Sequence, residues 1–101
     1  MNILFSGVGF RREETIDLKI NLPEGSKEYI VVHFYSPMVI ELQGRTIETK
    51  PNACIIYKPG TPQIYHGKNG GFINDFIRFL PESSSFFDGC EINITHPHLL
   101  V

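Results

Sequence analysis

Residues 29–80 read YIVVHFYSPMVIELQGRTIETKPNACIIYKPGTPQIYHGKNGGFINDFIRFL. Short runs of β-branched, aromatic and aliphatic residues alternate there with Ser36-Pro37, Gln43-Gly44, Pro51-Asn52, Pro59-Gly60-Thr61-Pro62 and Asn69-Gly70-Gly71. Turn signals this regular leave room only for short strands. The predicted strands are 29–35, 38–43 and 45–50, the last two flanking a tight turn at Gly44, followed by 53–57, 63–66 and 72–80. Upstream, Ile16-Asp17-Leu18-Lys19-Ile20-Asn21-Leu22 alternates strictly, with four aliphatic residues on one face and Asp17, Lys19 and Asn21 on the other. That is the pattern of a half-buried strand. Seven strands are a barrel's worth, so the expected class is all-β, an antiparallel barrel or jelly roll whose mouth admits small molecules. Downstream, 81–88, with its Ser cluster and Phe86-Phe87, is predicted to form one short helical turn beneath the barrel.

The chain has 101 residues, enough to bury a single core without disulfide or metal, and is expected to be one domain over 1–101. Its net charge of -2 provides no broad positive field, which argues against nucleic-acid binding by these residues themselves. Cys54 and Cys90 form no CxxC pair, and reduced thiols fit a cytoplasmic protein. In MNILFSGVGF the basic residues follow the apolar run rather than precede it, the reverse of a signal peptide. No stretch is long enough to span a bilayer. Asn93-Ile94-Thr95 fits a glycosylation pattern but, without a secretion signal, reads as a chance match.

Four histidines raise the question of a metal. Their spacing does not support one. Tyr35 stands where a second His would complete an HxH pair with His33, Glu41 lies further along than a compact ligand set wants, and His66 is alone on a later strand. His96-Pro97-His98 lies near the chain end, where surface histidines are usual. No GxSxG elbow is present, and neither Cys has a neighbouring His, so nucleophilic catalysis has no motif. Asn69-Gly70-Gly71 joins two strands rather than opening a helix, so it is no phosphate loop. The expectation is no catalytic residue, no metal and no cofactor.

The informative segment is 58–79, KPGTPQIYHGKNGGFINDFIRF. On a strand, Asn74, Phe76 and Arg78 share one face while Asp75, Ile77 and Phe79 share the other. The first face combines an amide, an aromatic plate and a guanidinium, and Tyr65 on the preceding strand can reach the same space. An aromatic ring with a few hydrogen-bonding groups is how a barrel holds a small polar ligand such as a sugar. Phe76 in the core, Arg78 reaching water and Tyr65 capping the barrel would give the same pattern.

The run from Val31 to Phe79 resembles the N-terminal sensor domain of AraC-family transcriptional regulators. The resemblance rests on Gly44 in the hairpin, Lys50-Pro51 and the apolar strand after it, Pro59-Gly60-Thr61-Pro62-Gln63-Ile64-Tyr65, and Asn74-Asp75-Phe76-Ile77-Arg78-Phe79. It covers about half the chain. It implies a cupin-type double-stranded β-helix that binds a small effector, often a sugar, and controls a pair of helix-turn-helix units further along the polypeptide. Those units, and the helices that pair sensor domains into homodimers, would lie downstream of Val101. The family's ligand-facing tyrosine falls on Tyr65, and two ligand-facing positions on the last strand fall on Asn74 and Phe76. Members commonly have Trp at the position of Phe76, and often a ligand-binding Arg where this sequence has Leu22. The loss of that Arg weighs against a simple arabinose-like sugar. Metal-binding cupins would want His at Gln63, and Asn52 and Lys58 also break their pattern.

The expected function is therefore that of an effector-sensing regulatory domain, with Tyr65, Asn74, Phe76, Arg78, Gln63 and His33 as candidate ligand-binding residues. DNA would be reached only through the downstream region, and no membrane contact is implied. Two alternatives stand beside it. One is a small metal-dependent cupin isomerase or dioxygenase using His33, Glu41 and His66; the other is a ligand-free interaction module with a solidly packed barrel.

Overall fold

Buried and half-buried residues alternate without a break along Ala53–Tyr57 and Gln63–Gly67, as the apolar spacing of these segments requires of strands with one face in a core. The computed structural model describes residues 3–15, 18–81 and 98–100. Nine strands form among them: β1 (Ile3–Glu14), β2 (Lys19–Leu22), β3 (Tyr29–Phe34), β4 (Met38–Leu42), β5 (Arg45–Glu48), β6 (Ala53–Tyr57), β7 (Gln63–Gly67), β8 (Phe72–Pro81) and β9 (His98–Leu100). The all-β expectation holds, and no helix of the described residues is long and apolar enough to cross a membrane.

The strands pair as two antiparallel sheets, one of order β1-β8-β3-β6-β9 and one of order β2-β7-β4-β5. The connectivity is nested. The β4–β5 hairpin forms the tip, β3 pairs β6 outside it, β2 pairs β7 outside those, and β1 pairs β8 as the outermost couple. Wound this way, one long hairpin gives the two-sheet arrangement of a jelly roll. At the tip, Gln43 and Gly44 have φ of 50° and 78° between the paired residues Leu42 and Arg45. Two successive positive φ angles make the primed turn whose twist matches a tight hairpin, and glycine takes the second without a Cβ clash. Thr49 then extends the hairpin: its N–H donates to the Met38 carbonyl at 2.8 Å, and its hydroxyl accepts from the Met38 N–H at 3.1 Å.

Between the sheets, Val32, Phe34, Met38, Ile40, Ile55 and Tyr57 are fully buried. Each aliphatic or phenyl side chain so buried contributes roughly 1.5–3 kcal/mol relative to exposure. Phe34 meets Tyr65 edge-on at 5.0 Å and Phe72 at 6.0 Å, ring centroid to centroid, so one aromatic cluster joins the two sheets.

Several expectations need correction. Seven strands were expected, and β1 and β9 add to them. β1 contains two register shifts against β8, between Phe5 and Gly7 and between Gly9 and Arg12, which break any single period-two pattern. Among the described residues the strand expected over 16–22 begins only at Lys19, with Ile16 and Asp17 outside them. Leu18 and Ile20 pack against the core as expected, but Leu22, at the strand end before Pro23, is exposed. Of the helical turn expected over 81–88, Pro81 is the last residue of β8 and the remainder lies outside the described residues.

The Tyr57 hydroxyl is buried and finds no hydrogen-bond partner among the described residues, and burial pushes its phenol well above the ordinary range. An unsatisfied buried hydroxyl costs stability. Tyr57→Phe is expected to raise the unfolding free energy by about 1 kcal/mol, seen as a higher urea midpoint at unchanged slope. A lower midpoint would show that the hydroxyl is satisfied.

Candidate functional site

β7 belongs to one sheet and β8 to the other, so the inward residues of the two strands face each other across the sandwich. Tyr65 comes from β7; Phe72, Asn74, Phe76 and Arg78 come from alternate positions of β8. They enclose a cavity of about 200 Å³ together with Leu18 and Ile20 from the β2 side, Ile30 of β3, and Arg12 and Glu14 of β1. The register places Asn74 beside Phe34, Phe76 beside Val32 and Arg78 beside Ile30, so the cavity is a continuation of the core toward one open end.

Each polar group on this wall has a local cause. Asn74 is buried at 5% exposure, and its Nδ2 donates to the Arg12 carbonyl at 3.2 Å, tying β1 to β8 where the ladder is interrupted. The other end of the amide, an acceptor, remains for whatever fills the cavity. Tyr65 is buried at 7% exposure, and burial pushes its phenol up to about 12 while the positive charge of Arg78 pulls the other way. It therefore keeps its proton at neutral pH and can donate as well as accept. Arg78 lies with its guanidinium carbon 4.9 Å from the centroid of the Phe76 ring. The Phe76 ring in turn occupies the space a side chain at residue 9 would need: a Cβ on Gly9 would fall 2.2 Å from it. Glycine at this position lets β1 pass under the ring.

Arg12 and Glu14 were not anticipated. They sit two residues apart on β1, share its inner face, and pair at 3.0 Å, with Glu14 the less exposed of the two. The bulge that precedes them sets this phase. Phe10 and Arg11 together oppose Asp75, Arg11 takes φ 46°, and the chain resumes pairing at Arg12.

Two sequence candidates lie elsewhere. Gln63 is buried on the inner face of β7, but its Nε2 reaches Ser26 Oγ at 3.4 Å and holds the β2–β3 connection rather than lining the cavity. His33 points to the opposite face of its sheet. There Asp75 is a hub: its carboxylate accepts the Arg11 N–H at 2.6 Å and the Tyr35 hydroxyl at 2.6 Å, with His33 Nδ1 at 3.4 Å. His33 Nε2 lies 3.2 Å from Asn52 Oδ1, and the Arg11 guanidinium stacks over Tyr35 at 4.8 Å. This cluster edges a shallow groove of about 260 Å³ whose other walls include Val8, Phe10, Val31 and Ile77.

The set His33, Glu41 and His66 does not converge either. His33 faces outward from the five-stranded sheet, whereas Glu41 and His66 sit on outward positions of the four-stranded one. No group of three or more His, Cys, Asp or Glu side chains gathers at metal-binding distance among the described residues. A comparison of the chain with protein-family models and with curated proteins finds no match.

Asp75 supplies a pH test. The Tyr35 hydroxyl, then the Arg11 N–H, then His33 hold its carboxyl below the usual 3.8. A carboxyl depressed in the folded state adds stability that is complete above the unfolded value and is lost as pH falls through the folded one. The stability gap between wild type and Asp75→Asn is expected to be full above about pH 5 and to shrink steadily below about pH 4. Urea unfolding across that range measures it; a gap independent of pH would remove Asp75 from its role as an ionised hub.

Proposed function

We propose that this chain is the effector-sensing domain of an AraC-type transcription regulator, a cupin-like barrel that binds a small polar ligand of the sugar or sugar-derivative class. In that reading it performs no catalysis, is cytoplasmic, and controls DNA binding by another region of the same polypeptide. One observation carries the reading. Tyr65 and the alternating set Asn74, Phe76 and Arg78, drawn from strands of different sheets, converge on one cavity. An aromatic plate, a buried amide and a protonated phenol around a small space suit a hydroxylated ligand better than an apolar one. The resemblance of 31–79 to AraC-family sensor domains, whose ligand-facing positions fall on three of these four residues, supplies the regulatory context.

β1 supplies the coupling. It contributes Arg12 and Glu14 to the cavity and is tied to Asn74 through the Arg12 carbonyl. A ligand that touches both β1 and β8 favours the state in which β1 is docked, so occupancy shifts the balance of docked and undocked forms. The groups of β1 that reach the cavity are Arg12 and Glu14, just past the bulge.

A thermal-shift screen of mono- and disaccharides, sugar acids and sugar phosphates tests the reading. A binder raises the melting temperature of the wild type by mass action and loses that effect in Asn74→Ala and Tyr65→Phe variants that still melt cooperatively. A panel in which nothing stabilises the wild type would overturn it in favour of a ligand-free interaction module.

A further inference from the structure

Resting on the reading of the cavity as an effector site, we propose that its ligand is an anion: a small hydroxylated carboxylate or phosphate ester whose charged group is received by Arg78. The charges on the wall point this way. Arg12 and Glu14 pair with each other at 3.0 Å and cancel. Arg78 has no acidic partner among the described residues, so within them the cavity wall carries one positive charge in excess. Such a charge beside low-dielectric walls raises the local concentration of anions.

The geometry agrees with the charge. The guanidinium carbon lies over the Phe76 ring, and no hydrogen bond or ion pair among the described residues engages the Arg78 side chain, so its N–H groups are available to a carboxylate or phosphate in fork geometry. The ring itself lies against Gly9, where no side chain competes for its place. Deeper in, Asn74 offers an acceptor and Tyr65 a protonated hydroxyl, which suit the hydroxyls of the same ligand. At about 200 Å³ the cavity is below the roughly 300 Å³ at which pockets for drug-sized ligands begin, so the ligand is of monosaccharide size.

The test is calorimetric titration of the whole chain with glucose, glucuronate and a glucose phosphate, using the wild type, Arg78→Gln and Arg78→Lys. At least one acid is expected to bind at least tenfold more tightly than glucose. Arg78→Gln should weaken that binding roughly ten- to a hundredfold, with Arg78→Lys between the two. Whichever acid binds more tightly separates carboxylate from phosphate. Glucose binding as well as both acids, or acid binding undiminished in Arg78→Gln, overturns anion recognition and leaves the effector site standing. No binding by any of the three, nor by any member of the broader screen, overturns both. Should Arg78→Gln melt early, the wild type alone decides: acid binding that does not weaken as salt is raised sinks the proposal.

Discussion

Because side chains on a strand alternate between faces, the register of β8 between β1 and β3 decides what is inside this molecule and what is outside. Its pairing with β3 runs from Tyr29 opposite Phe79 to Phe34 opposite Asn74 without a shift. Phe72, Asn74, Phe76 and Arg78 therefore face the core and cavity, while Asp75 and Ile77 face outward. A slip of one residue would exchange the two sets and bury a carboxylate in place of an amide. On the other side, Asp75 holds β1 at the bulge through the Arg11 N–H. The outward cluster thus helps fix the register that builds the inward cavity.

A core that ends in a polar cavity needs its polar groups satisfied or solvated. Here each is handled differently. The Asn74 amide spends its donor on the β1 backbone, Arg12 and Glu14 neutralise each other, and Arg78, itself exposed, lies over the Phe76 ring. Apolar contact from Leu18, Ile20 and Ile30 completes the walls. Tyr65 and Phe72, packed with Phe34 in one aromatic cluster, line the cavity, so packing sets the position of the Tyr65 ring.

The strands from β3 to β8 are legible in the sequence because Pro, Gly and Asn mark nearly every boundary and the runs between them are rich in β-branched, aromatic and aliphatic residues. For the same reason Asn74, Phe76 and Arg78 can be placed on one face, and Tyr65 beside them, without any structure. β1 is not legible, since Gly7, Gly9 and the run Arg11-Arg12-Glu13-Glu14 look like solvated chain and two bulges change the phase midway. Arg12 and Glu14 were lost with it. His33 misleads in another way: it sits in a run of β-branched and aromatic residues, and only the burial of Ile30, Val32 and Phe34 shows that the inner face of β3 is already taken. Gln63 does face inward, but Ser26, from a loop 37 residues away in sequence, claims its amide. That contact could not be read from local pattern.

The nested pairing also orders events in time. Each successive couple closes a larger loop, from β4 with β5 at the tip to β1 with β8, where Ile3 meets Pro81. Loop closure costs entropy that grows with separation and is repaid only once the inner pairs exist to shorten the effective loop. Among the nested pairs, loop-closure entropy therefore favours late pairing of β1 with β8. The cavity takes Arg12 and Glu14 from β1, so its lining is complete only once β1 has paired.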